Sequence, residues 1–126
     1  MLTHVVVGTN DPDKAVPFYD ATFATLGITG HRHDNGAFYG QPETGMFMVG
    51  RPRDGQPATH ANGGTIGLAA ADQAAVDAWH AAGLANGGTS IESPPGVRDM
   101  GVRKLYLAYL RDPAGNKLCA RAVVSA

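Results

Sequence analysis

The sequence holds a single cysteine, Cys119, so no disulfide within the chain can staple it. It also lacks a charge excess. Ten Lys and Arg face eleven Asp and Glu for a net charge of −1, which leaves no basic stripe for nucleic acid. No uninterrupted apolar run approaches the roughly 20 residues that span a bilayer, so neither a membrane nor a nucleic acid is the expected partner. The opening Met1-Leu2-Thr3 has none of the basic, apolar and small-residue regions of a secretion leader, and the expected location is cytoplasmic. A G-x-S-x-G elbow, a P-loop and a dinucleotide fingerprint are all missing, which removes the usual support for those chemistries. What remains is 126 residues, 44% of them hydrophobic, enough for one domain and one core. Seventeen glycines and eight prolines suit strands joined by turns better than a helical bundle. The expected partner is a small molecule.

Sliding the chain against itself lays His4-Val5-Val6-Val7-Gly8-Thr9-Asn10-Asp11 over Thr65-Ile66-Gly67-Leu68-Ala69-Ala70-Ala71-Asp72, an offset of 61 residues. At the same offset Ala15 meets Val76 and Phe18 meets Trp79. In each half an Asp sits where a helix would be capped, Asp11 before Pro12 and Asp72 before Gln73. Ala15, Phe18, Tyr19, Phe23 and Leu26 follow at helical spacing up to Gly27. Val76, Trp79 and Leu84 do so up to Gly87-Gly88. Pro17 lies past the first turn and predicts a kink or an irregular start. Extended runs are expected at about 29–33, 36–40 and 45–50, then at about 88–93, 104–111 and 116–123, with a Pro/Gly loop from Ser93 to Gly101. The chain therefore reads as one α+β domain over residues 1–126, with repeat one at about 1–51, a linker at about 52–63 and repeat two at about 64–126. Each repeat has the order βαβββ. One helix on one small sheet buries too little to stand alone, so the halves must share a core.

The paired βαβββ order, the turn Asp112-Pro113-Ala114-Gly115-Asn116, and Thr3-His4-Val5 followed by Phe18-Tyr19-Asp20 resemble the vicinal-oxygen-chelate superfamily of glyoxalases, bleomycin-resistance proteins and ring-cleaving dioxygenases. The resemblance implies a curved, cup-shaped mixed sheet with helices on its outer face. It also implies a homodimer, because such proteins commonly bury sheet or helix faces between subunits. Family enzymes hold a divalent metal with His on the first strand, His on the fifth, Glu on the last and often an acid on the fourth. Carried over, these positions become His4, Thr65, Cys119 and either Phe47 or Val49. His4 is the one strong ligand of that set, with Cys119 as a weaker candidate. Zn, Ni, Mn or Fe is the metal such a site would take if it took one, and no cofactor is expected.

Strand alternation sets His4, Val6 and Gly8 on one face, and Thr65, Gly67 and Ala69 on the matching face of the second repeat. Cys119 points away from Leu118, so His4, Thr65 and Cys119 are expected to converge. As a nucleophile Cys119 would need a lowered pKa and a nearby base; otherwise it is a small hydrophobe. His31 and His33 share a strand face without a third partner and read as a solvated strand end, and His60 and His80 as surface residues. Arg98, Arg103 and Lys104 fall in or beside the loop that relatives use to cover the cup, where their charge could hold an anionic ligand. Tyr106 and Tyr109 must face opposite sides, so at most one lines the cavity. The candidate ligand-binding set is thus His4, Phe47, Thr65, Arg98, Arg103, Tyr106, Tyr109 and Cys119. The expected function is binding of a small organic molecule with a degenerate metal site. The alternatives are a metal-dependent glyoxalase-type lyase or dioxygenase using His4, and a non-catalytic interaction module.

Overall fold

The computed structural model describes residues 1–125, and for Ser125 the backbone alone. The first half runs β1 (His4–Gly8), α1 (Pro12–Thr25), β2 (Gly30–His33), β3 (Gly36–Gln41) and β4 (Gly45–Gly50). Its sheet has the order β1-β4-β3-β2, with β1 parallel to β4 and the other pairs antiparallel. The second half runs β5 (Ile66–Ala69), α2 (Gln73–Ala85), β6 (Thr89–Ser90), β7 (Gly96–Asp99), β8 (Lys104–Arg111) and β9 (Lys117–Ser125). Its order is β5-β9-β8-β6, with β7 also paired to β8. The duplication is therefore real, and α1 and α2 start 61 residues apart as the offset requires.

The second half carries one strand more than expected. Ser90 pairs with Leu110, then the chain leaves β8, turning through Glu92 at a positive φ of 59° and the Pro94-Pro95 pair. It rejoins at Gly96, opposite Leu107. So β6 and β7 together fill the place β2 holds in the first half, and part of the segment expected to be loop is strand.

Both helices end in one way. Ile28 N–H donates to the Phe23 carbonyl and Gly88 N–H to the Gly83 carbonyl, with Gly27 and Gly87 at the left-handed positions between. They begin differently. Asp72 accepts from Ala75 N–H at 2.9 Å, whereas the Asp11 side chain makes no cap bond and its own N–H donates to Thr9 Oγ1 at 3.0 Å. α1 runs without a break through Pro17, whose side chain lies on the exposed face.

One core joins the halves. It holds Phe18, Tyr19, Phe23, Tyr39, Phe47 and Val49 from the first and Val76, Trp79, Leu110, Leu118 and Ala120 from the second. Phe18 and Trp79, paired by the offset, are both fully buried. Gly83 lets α2 approach, since a Cβ there would collide with Leu110 and press on Phe18. The Asp112–Asn116 turn clips the halves together: Asp112 accepts from the Tyr19 hydroxyl at 2.5 Å and from Asn116 Nδ2 at 2.8 Å, and Asn116 Nδ2 also donates to the Gly8 carbonyl at 3.0 Å. Burial, with Asp112 beside it, holds the Tyr19 phenol well above its ordinary pKa. Among the described residues no strand of one sheet pairs with a strand of the other. Each sheet packs one face on the core and leaves the other open, with His4 and Val6 exposed on the first and Gly67, Ala69 and Arg121 on the second. No helix among them is long and apolar enough to cross a membrane.

Candidate ligand cavity on the second sheet

Cross-strand register lays out the second open face in rows, because directly opposed residues share a side of the sheet. One row is Gly67, Cys119 and Tyr109. The next is Ala69, Arg121, Leu107 and Gly96. The third is Val123, Leu105 and Arg98. Over these rows, short of Gly96 and Arg98 on β7, lies a cavity of about 520 Å³, lined also by Thr65 and Met100. That volume suits a small organic molecule. The small residues make the room, and a Cβ on Gly67 would meet no atom within 4 Å. Leu105, Leu107 and Cys119 form a satellite apolar cluster with Tyr109 packed against it. A hollow of about 600 Å³ lies elsewhere, between the linker and the end of β1, lined by Arg51, Pro52, Gln56 and Pro57 among others. It lacks an apolar floor of sheet side chains, and Arg51 is already engaged with the Asn10 carbonyl at 2.8 Å.

The chemistry of this face is that of a protonated, sheltered site. Burial pushes the Cys119 thiol up, and contact with the Tyr109 hydroxyl and nearby Arg121 offsets this only in part. Burial likewise raises Tyr109, next to Cys119 and Glu92. Lys117 sits 5.2 Å from the Tyr109 ring centroid and pairs with Glu92 at 2.5 Å. A thiol held protonated is a poor nucleophile at neutral pH.

The structure brings together part of the set expected from sequence. Thr65, Tyr109 and Cys119 line the cavity, and Arg98 stands on the same face opposite Leu105. Tyr106 points the other way and donates to Asp77 of α2 at 2.7 Å. Arg103 is exposed in the bend before β8 and is not among the lining residues. Phe47 belongs to the helix side, where its ring meets Tyr19 at 4.9 Å and Phe23 at 5.3 Å, and Val49 is buried in the same core. The residues of β4 on the open face are Met46, opposite His4, and Met48, opposite Val6. His4 stands on the first sheet's open face, exposed, its Nδ1 2.8 Å from Thr3 Oγ1, and it does not line the Cys119 cavity. Arg121, Leu105, Leu107 and Gly67 were missed as site residues, although counting by twos from Cys119 reaches Arg121.

A family metal does not fit these donors. The fourth-strand position offers thioethers instead of a carboxylate, the last strand offers a single thiol, and the fifth offers a hydroxyl. Divalent Zn, Ni, Mn or Fe prefers imidazole and carboxylate together. Among the described residues no three His, Cys, Asp or Glu side chains are grouped to hold a metal ion.

Residues 1–120 match the family described as the Glyoxalase/Bleomycin resistance protein/Dioxygenase superfamily. The chain is 55% identical to a glyoxalase/bleomycin resistance protein from Albidiferax ferrireducens, over 96% of this chain and 98% of that one, with a TM-score of 0.91. A family enzyme from Burkholderia phytofirmans superposes with a TM-score of 0.70 at 18% identity, covering 97% of this chain and 98% of its own. A lactoylglutathione lyase from Agrobacterium tumefaciens does so at 0.65 and 22%, covering 96% and 92%. These last two share the fold. No curated protein matches.

Proposed function

This chain belongs to the glyoxalase/bleomycin resistance protein/dioxygenase superfamily, and on that premise we propose that it binds a small organic molecule on the open face of its second sheet, without a resident metal. The observation that carries the reading is the 520 Å³ cavity over Gly67, Leu107, Tyr109, Cys119 and Arg121. Its floor is apolar and its few polar groups converge, as small-molecule sites require. A lyase or dioxygenase built on His4 draws less support, since the donors that would join His4 are replaced by Met46, Thr65 and Cys119.

A homodimer belongs to the proposal. The two open faces expose Val6 at 62% and Val123 at 53%, and Met100 at the cavity rim at 57%. Faces of this kind favour burial against a partner. A second copy whose first sheet lies over the cavity would cover its ligand with Val6, Met46 and Met48. Sedimentation at micromolar concentration tests this, and a monomer there rejects it.

The cavity itself is tested with the fluorescent probe 1-anilinonaphthalene-8-sulfonate. Gly67→Phe fills open space on a strand, so the variant should fold and should lose saturable probe binding at least tenfold. Unchanged binding in the folded variant places the ligand elsewhere.

A further inference from the structure

We propose that the molecule held in this cavity is an organic acid: an apolar, ring-sized body lying over Gly67 and Ala69, with a carboxylate held by Arg121 and Arg98. The inference deepens the binding reading above and rests on it. Arg121 and Gly96 flank Leu107 in one row, on strands either side of β8. Arg98 folds back over that row, because a Cβ built on Gly96 would stand 3.2 Å from Arg98 Nη1. Two guanidiniums thus border the apolar floor, their backbones about 12 Å apart across three strands and one row.

Their charge is not spent within the chain. Arg98 Nη2 donates to the carbonyls of Pro94 at 3.1 Å and Ser93 at 3.4 Å, contacts that hold the side chain without neutralising it. Among the described residues neither Arg98 nor Arg121 forms an ion pair, whereas the nearby Glu92 is taken by Lys117. Arg121 lines the cavity itself, and Arg98 stands at its edge, opposite the lining residue Leu105. A covering second copy would not cancel them either, for the first sheet's open face carries His4, Val6, Phe38, Met46 and Met48 and no carboxylate. Planar guanidinium matches carboxylate geometry, and the match gains strength beside an apolar floor that excludes water.

The test is a ¹H–¹⁵N NMR titration of the full chain with benzoate and with benzamide, its neutral counterpart. Benzoate should shift the amides of Gly67, Ala69, Cys119 and Arg121 saturably, with benzamide about tenfold weaker, as a charge-assisted bond allows. Arg121→Gln alters an exposed side chain, so the fold should persist, and it should erase most of that difference; Arg98→Gln should do so in part. Benzamide binding as tightly as benzoate at these amides overturns the carboxylate and leaves the cavity reading intact. Shifts from neither probe at these amides overturn both.

Discussion

The two halves of the molecule have kept the same buried face and acquired different open ones. Beneath the sheets, Phe18 and Trp79 occupy matched positions, and both helices close on a glycine with a bond between residues five apart across the end. On the open side the first half shows imidazole, thioether and aromatic groups, with the His31 and Phe38 rings stacked at 5.1 Å. The second shows glycine, leucine, thiol, phenol and two arginines. Packing constrains a buried position through every neighbour it touches, whereas an open position is constrained only by what it binds. The proposed binding function therefore rests on the difference between the faces.

The largest test of that comparison is Trp79→Ala, expected to cost about 3–5 kcal/mol because the residue is fully buried. Denaturation should remain a single transition, since the halves share one core. A first half that stays folded on its own would break the comparison. Trp79→Phe should cost less, because the indole Nε1 has no partner and its loss leaves nothing unpaired.

The turns come next. Asp112→Ala removes the acceptor for the Tyr19 hydroxyl, for the Asn116 amide and for two backbone N–H groups. We expect a loss of about 3 kcal/mol in chemical denaturation. Its first-half counterpart, Gln41→Ala at an exposed turn, should stay within about 0.5 kcal/mol. The caps give a smaller contrast of the same kind: Asp72→Ala should cost about 1 kcal/mol and Asp11→Ala a few tenths, since only Asp72 bonds its helix. Equal losses would contradict the cap geometry.

The smallest effect concerns Cys119. A thiol whose folded pKa is raised adds stability that is fully present below its unfolded pKa and fades as pH rises beyond it, here from the ordinary value of 9.0 upward. Alkylation by iodoacetamide at pH 8 should accordingly be slower in the folded protein than in denaturant. Equal rates would mean the thiol is not sheltered.

Much of this was legible in the sequence. The offset, the glycine stops and the Asp112–Asn116 turn point to two βαβββ units, and alternation from Leu118 puts Cys119 on the open face. Other features were hidden for physical reasons. On β4 both faces are apolar, Phe47 and Val49 on one side and Met46 and Met48 on the other, so alternation could not tell core from open face. β7 was masked by Pro94 and Pro95 before it, by Gly96 at its start and by Gly101 after it. Whether His4 meets Cys119 depends on how α1 docks on α2, a long-range arrangement that local periodicity does not contain.

The account turns on a ligand site in the second sheet that owes nothing to a metal. The most direct measurement is the affinity of the fluorescent probe for wild type, for wild type after exhaustive EDTA treatment, and for Gly67→Phe. Affinity unchanged by EDTA and lost in Gly67→Phe is the predicted result. Binding that EDTA abolishes and added Zn, Ni or Mn restores, with Gly67→Phe still competent, would contradict it.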